Sequence, residues 1–397
     1  MKIFIVPSWY PSRLTPASGA FFAEWAGIFA AAGHEVTIVA NILHSLKKLF
    51  NYSKLALSRP AASPAGGLPT YRRERINLYP LQPERSFRAY QRNLVQLFRQ
   101  ALEERGRPDV VRIQSSLWAG AALAGELTGH SIPYVVGESL KEFLLPGAWT
   151  PFQRRMIALS YSGAGKIVAS SRAVEQAILK SFGEVAGKTA TIHNPVKEIA
   201  LAGMSPPPAE RFEFVAVAYF RPEKRLDLLL DAFAGVAAQS DRARLTLIGD
   251  GPLRGRLERQ IRRLSLTGKV KLSGYLSRPA VTARLGRCHC LVLPSEVETF
   301  GVVLLEAMAC GLPVISTRCG GPEDIVTPDT GLLVPPGDLA ALTAAMQALL
   351  EGYRRYDREA IRQSARDRFS PQRYLADWEA VFAELVAGGS GKPPPQK

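Results

Sequence analysis

The chain predicts an α/β protein made of two doubly wound, parallel-sheet domains facing a cleft, and three observations carry that expectation. Its 397 residues are long for one domain and comfortable for two. Short runs rich in Val and Ile alternate with longer helix-periodic stretches, the pattern of parallel strands joined by crossover helices. The alternation stops once, at "SPPPAER", and then starts again.

Taken in order, "KIFIV" reads as a strand, a helix runs from about Ala20 to Ala32 and ends at Gly33, and "EVTIVA" returns as a second strand. Further strands are expected at "DVVRI" (Asp109 to Ile113), "PYVVG" (Pro133 to Gly137), "KIVAS" (Lys166 to Ser170) and "TATIH" (Thr189 to His193). The consecutive prolines Pro206 to Pro208 suit neither a helix interior nor a central strand, so residues 196–210 read as a linker. Beyond it come "FEFVAVAYF" (Phe212 to Phe220), "RLTLIG", "VKLSG", "CLVLP", "PVIST" and "GLLVP". The expected domains are therefore 1–195, with a basic insertion at about 42–107, and 211–370. A last helix over 371–387 and a disordered tail over 388–397 follow. Ligands of such sheets bind beyond the carboxyl ends of the strands, which makes the cleft the expected site.

Composition narrows the partners. The formal charge is +15, and between Asn41 and Arg107 there are 13 basic residues against 4 acidic ones. Such a patch suits nucleic acid, a phosphorylated substrate or an acidic membrane surface. No zinc-finger spacing, helix-turn-helix signature or RNP-like run accompanies it, so a nucleic-acid partner is not expected. "ILHSLKKLFNYSKLALSR" (Ile42 to Arg59) sets Leu43, Leu46, Leu49 and Phe50 at helical spacing beside Lys47, Lys48, Lys54 and Arg59. That pattern fits a solvated surface helix or a helix lying on an anionic membrane. The apolar run "IFIV" is cut by Pro7, too short for a signal segment, and no stretch approaches the roughly 18 apolar residues of a span. A cytoplasmic protein, peripheral at the inner face of the cell membrane, is the expectation. Cys288, Cys290, Cys310 and Cys319 cluster in one stretch, unlike a disulfide framework. Cys288-x-Cys290 with His289 falls on a strand and is not expected to bind metal.

"ETFGVVLLEAMACGLP" carries the chemistry. It follows the strand "CLVLP" as a loop and then a helix, expected from Gly301 to Cys310 with Gly311 beyond its end. A helix amino terminus offers unpaired backbone N–H groups to phosphate oxygens. Glu306, in the second turn, leans back towards that mouth, and Glu298 approaches from the loop. Carboxylates repel a diphosphate but accept from vicinal hydroxyls, so a nucleotide sugar satisfies both features. Taken alone, the two acids also suit a solvated loop residue and a carboxylate complementing the helix dipole.

"EVETFGVVLLEAMACGLPVISTRCGGPEDIV" resembles the E-x7-E region of glycosyltransferase family 4, retaining enzymes of the GT-B fold. "YFRPEKRLDLLLDAF", "LIGDGPLR", "IHNPV" and the opening "PSWYP" to "GAFFAEWA" with "GHEV" resemble the same family in the same order. The resemblance implies transfer from a UDP- or GDP-sugar to a glycan or lipid-linked acceptor, in cell-envelope polysaccharide or lipopolysaccharide synthesis. It implies that Glu298 meets sugar hydroxyls, that Glu306 holds the ribose, and that Phe300, Gly301 and Val302 line the diphosphate and sugar. Lys224 matches the lysine that neutralises the diphosphate, and Gly19 the glycine loop facing the donor. No D-x-D motif is present, so no metal and no cofactor are expected. Two positions depart from the family pattern. Tyr219 stands where an arginine is usual, leaving Arg221 or Arg225 to supply the charge, and Ser139 stands where many members have a histidine. A serine hydrogen-bonds but is no base near neutral pH without a partner. An epimerase or hydrolase of the same fold and a non-catalytic basic binding protein are the competing classes.

Overall fold

The computed structural model of the chain describes residues 1–12, 14–15, 19–45, 61–62, 67–196 and 210–389. They form two compact units. The first comprises Met1–Ser170, Glu175–Ile192 and the carboxyl-terminal helix from Leu375, and the second comprises Ser171–Val174 and His193–Tyr374.

In the first unit the strands are β1 (Lys2–Pro7), β2 (Glu35–His44), β3 (Ala61–Ala62), β4 (Thr70–Ile76), β5 (Val110–Gln114), β6 (Tyr134–Glu138), β7 (Lys166–Ala169) and β8 (Thr189–Thr191). They lie in the order β3-β4-β2-β1-β5-β6-β7-β8, parallel except for β3 against β4. The inner strands β5 and β6 are buried throughout, which is why they show no polar alternation, and Arg112, Gln114 and Glu138 are buried along with their apolar neighbours. The second unit holds β9 (Phe212–Val217), β10 (Ala243–Ile248), β11 (Val270–Leu272), β12 (Cys290–Leu293), β13 (Val314–Thr317) and β14 (Gly331–Val334). Their order, β11-β10-β9-β12-β13-β14, is fully parallel. In each sheet the chain starts near the middle, works outward, and then crosses back. The strand order therefore reverses between β1 and β5, and again between β9 and β12, leaving a crevice at those strand ends.

The strands expected from sequence are present to within a few residues. The stretch expected as a basic insertion at about 42–107 differs, because its described part supplies strands of the sheet and a helix packed on them. Ile42 to His44 complete β2, so no helix begins at Ile42 or includes Leu43, and β4 pairs in parallel with β2 from Ile38↔Thr70 to His44↔Ile76. Residues 46–59 of that motif lie outside the described residues, as do most of the linker and the last residues of the tail. β4 reads "TYRRERI", whose charges conceal a strand. Partners make them tolerable there: buried Arg73 donates to Asn93 Oδ1 and Gln96 Oε1, and Glu74 accepts from the His44 ring at 3.3 Å. The helix Pro83–Arg105 covers these strands with Phe87, Tyr90, Leu94, Leu97, Phe98 and Ala101.

The carboxyl-terminal helix, Pro371–Gly389, packs into the first unit from Leu375 onward. Phe382 meets Phe29 at 5.6 Å, and the guanidinium of buried Arg112, on β5, lies 3.7 Å over the Trp378 ring. His34 with Glu379 and Lys166 with Glu384 add edge contacts. Truncating Trp378 would leave a cavity and strip the cover from a buried cation. Trp378→Ala is expected to lower the stability of the first unit by about 3–5 kcal/mol, read as a shift in its urea unfolding transition. An unchanged transition would show that this helix is not part of that core.

Candidate active site

The crevice between β9 and β12 gathers the residues of the second unit that the sequence singles out. After β9 the chain turns through Ala218–Arg221, and glycine makes this turn feasible. A Cβ on Gly249 would stand 1.9 Å from the Ala218 carbonyl oxygen, and Phe220 N–H donates to the Asp250 carbonyl at 2.9 Å. Asp250 itself closes a turn, accepting from Gly251 N–H. A short 3₁₀ turn, Pro222–Lys224, follows, and Arg225 in the left-handed conformation (φ 46°) starts the helix Leu226–Gln239.

Lys224 Nζ donates to Glu298 Oε1 at 2.5 Å. The fully buried Ser295 donates its hydroxyl to the same oxygen at 2.8 Å. The backbone of Glu298 is held on both sides, its N–H by the Cys319 carbonyl at 3.2 Å and its C=O by Gly321 N–H at 2.7 Å. Gly321 in turn lies so close to Phe300 that a Cβ would be 2.1 Å from Phe300 Cα. Phe300 is buried, stacked on the His193 ring at 5.4 Å, and His193 Nε2 bonds Asp324 at 3.1 Å. Gly301, with φ 99°, opens the helix Val302–Ala309, and no side chain caps it. Cys310 and Gly311 (φ 78°) end it where the sequence predicts. Its first turn thus presents backbone N–H groups beside the Lys224–Glu298 pair. Glu306 sits half-buried in the second turn.

The two arginines left open as replacements differ in surroundings. Arg225 is engaged by carboxylates, donating to Glu296 at 2.7 Å and Asp227 at 3.3 Å. Exposed Arg221 lies 4.8 Å over the ring of exposed Tyr219, the residue standing at the family arginine position. The Cys288–His289–Cys290 segment is structural: Glu213 N–H donates to His289 Nδ1 at 3.1 Å, the ring stacks on Phe212, and burial lowers the imidazole pKa to about 4. All four cysteines are free thiols. Among the described residues, no three His, Cys, Asp or Glu side chains come together as metal ligands.

In the first unit Gly19 (φ 69°) opens the helix Ala20–Ala31, and a Cβ there would be 2.7 Å from the Trp9 carbonyl oxygen, so glycine is required. Ser139 follows β6 and is half-buried. Its neighbour Glu138 goes unremarked in the sequence reading, although a lone acid closing the apolar strand "YVVGE" is a signal. Glu138 is buried, and its Oε1 accepts from Ser116 N–H at 2.9 Å and the Tyr161 hydroxyl at 3.0 Å. Burial raises its pKa from 4.5 to about 7, despite the hydrogen bonds from Ser116 and Tyr161.

The two sheets and the glycine-opened helix beside a lysine–glutamate pair define a GT-B protein. The fold is shared with the sucrose-phosphate synthase of Thermosynechococcus elongatus, at a TM-score of 0.78 over 98% of this chain and 100% of that one, with 20% identity. Two family descriptions match, "Glycosyl transferase 4-like domain" over residues 17–195 and "Glycosyl transferases group 1" over residues 203–368. The chain belongs to glycosyltransferase family 4. Among curated relatives, it is 34% identical over 175 residues to N-acetyl-alpha-D-glucosaminyl L-malate synthase of Bacillus anthracis, covering 43% of this chain and 45% of that one. It is 32% identical over 166 residues to the GDP-mannose-dependent alpha-(1-6)-phosphatidylinositol dimannoside mannosyltransferase of Mycobacterium tuberculosis, covering 42% of this chain and 40% of that one. The matched stretch spans less than half the length of either relative.

Glu138 makes stability depend on pH. The folded chain keeps its proton to about pH 7, while the unfolded chain releases it near 4.5, so across that interval the native state binds more protons and stability falls as pH rises. The stability of the wild type relative to Glu138→Gln should drop by about 3 kcal/mol between the two values. Parallel unfolding titrations of both proteins from pH 4 to 8 measure it. A constant difference would mean that Glu138 is ionised in the fold.

Proposed function

We propose that the chain is a retaining, metal-independent glycosyltransferase that moves a sugar from a UDP- or GDP-sugar to a glycan or lipid-linked acceptor. The work would belong to cell-envelope polysaccharide or lipopolysaccharide synthesis, in the cytoplasm at the inner face of an anionic membrane. The observation that carries this reading is the Lys224–Glu298 pair beside the uncapped start of the helix Val302–Ala309. Support for the donor class also comes from the relative named as GDP-mannose-dependent.

On this reading the backbone N–H groups at Gly301 and Val302, next to Phe300, receive the diphosphate with Lys224. Arg221, carried on Tyr219, supplies the second cation, because Arg225 is already neutralised by Glu296 and Asp227. Donor entry trades one ion pair for another: Lys224 turns from Glu298 to phosphate, and Glu298 is released to accept from sugar hydroxyls. Glu306 takes the ribose. Gly19 and Ser139 are assigned substrate contacts through the family resemblance. Charge building on the departing diphosphate is stabilised where it forms, and the leaving oxygen takes the acceptor proton on the same face, so no side-chain base is required.

Calorimetry separates these roles. Lys224→Ala should weaken UDP or GDP by at least about tenfold, some 1.4 kcal/mol, while a free nucleoside changes little. Glu298→Gln should abolish most transfer yet leave nucleoside diphosphate affinity intact or improved, and Glu306→Gln should weaken the nucleotide. Equal loss of nucleotide binding in the two glutamate variants would refute the division of roles, and loss of transfer on chelation restored by Mg²⁺ would refute the metal-free scheme.

A further inference from the structure

Large apolar side chains are exposed at scattered places on most proteins, and singly they mean little. Three of them fall within four residues here. The connection from β4 to the helix Pro83–Arg105 presents Leu78 at 68% exposure, Tyr79 at 38% and Leu81 at 93%. The turn is built rather than slack. Asn77 N–H donates to the His44 carbonyl at 2.8 Å, Tyr79 N–H to Asn77 Oδ1 at 2.9 Å, and Gln82 N–H to the Tyr79 carbonyl at 3.1 Å. Pro80 and Pro83 stiffen it further.

The helix that follows has two faces. Its inner residues are buried, whereas Arg85, Arg88 and Arg92 recur at three- and four-residue spacing on one exposed face. None of these three arginines makes a hydrogen bond or ion pair with another described residue. The acid of the first turn, Glu84, is drawn 3.7 Å from Arg155. Exposed apolar side chains, followed along the chain by arginines that have no partner among the described residues, complement a surface whose interior is apolar and whose outer layer is anionic.

We propose that Leu78, Tyr79 and Leu81 insert into the headgroup boundary of an anionic phospholipid bilayer, with Arg85, Arg88 and Arg92 bound to its phosphates. The tips supply reversible apolar burial, and each arginine near an acidic leaflet strengthens binding by about fivefold. Charge complementarity commits the patch to lipid: exposed apolar side chains lead along the chain into a row of exposed arginines that suits acidic headgroups. The purpose of the contact, delivery of a lipid-linked acceptor, rests on the transferase reading, but the contact itself does not.

Vesicles of phosphatidylcholine alone and of an equal mixture with phosphatidylglycerol test this by co-sedimentation at low and high salt. The full chain should bind the anionic vesicles in a salt-sensitive way. Leu78→Ser with Leu81→Ser, and separately Arg85→Gln, Arg88→Gln and Arg92→Gln together, should each reduce partition at least about tenfold, with unfolding midpoints unchanged. In Tyr79→Trp, the new fluorophore should shift to the blue and become shielded from an aqueous quencher on vesicle addition. Equal binding to both vesicle types, unaltered partition in the two variants, or an unshifted signal from the introduced indole in sedimenting protein would overturn the proposal. UDP and GDP binding measured in solution on the same proteins keeps the questions apart. Vesicle binding without nucleotide binding would defeat the transferase reading alone, and the converse would defeat this proposal and the membrane location while leaving sugar transfer standing.

Discussion

The candidate site depends on one close approach between two loops. Gly321, beyond β13, packs on the backbone of Phe300, beyond β12, at a distance that no side chain permits. With the two loops in contact, Glu298 exchanges backbone hydrogen bonds with Cys319 and Gly321 as a strand would, although it lies outside both strands. That fixes where its carboxylate begins. Ser295, buried and itself bracketed by the Thr317 hydroxyl, then turns the carboxylate towards Lys224. A single glycine thereby carries the geometry from the sheet to the charged pair.

The pair is only partly exposed, 26% for the Lys224 side chain and 13% for Glu298. Burying two charges costs desolvation that their mutual attraction only partly offsets, so such a pair is weak evidence of stability. Under the proposed function the pair acts as a charge reserve. A cation kept neutral by a displaceable carboxylate costs the empty chain little and becomes available when a more strongly charged partner arrives. Arg225 shows the contrast, since its two carboxylates and its role at a helix start tie it to the scaffold. Arg221, stacked on Tyr219, stays on the exposed side of the same turn.

The first unit solves a different problem, that of placing polar groups inside a sheet. Arg73 and Glu74 on β4, Arg112 on β5 and Glu138 on β6 are all buried. Arg73 and Glu74 are met by side chains of the next helix or strand, Arg112 by the indole of a helix near the end of the chain, and Glu138 by an N–H and a phenol. Glu138 answers differently from the rest, holding its proton to about pH 7 because burial penalises its charged form and no cation among the described residues offsets that penalty.

Periodicity and turn residues made most of the fold legible. Apolar runs marked the buried parallel strands, and Gly301 and Gly311 marked the ends of the Val302–Ala309 helix, because local preferences and tertiary environment agree at those places. The motif "ETFGVVLLEAMACGLP" likewise named the loop and helix that carry Glu298, Phe300 and Glu306. β4 was hidden, since a strand whose charges are satisfied by distant partners shows none of the apolar signature that a sequence scan detects. The same holds for the attachment of the terminal helix, which depends on Trp378 finding Arg112 far back along the chain. That Lys224 pairs with Glu298, that Arg225 is engaged by carboxylates while Arg221 has none among the described residues, and that Glu138 holds its proton up to about pH 7 were decided only by tertiary structure. Ion pairing and burial are set by distances across the fold, and a linear sequence does not contain those distances.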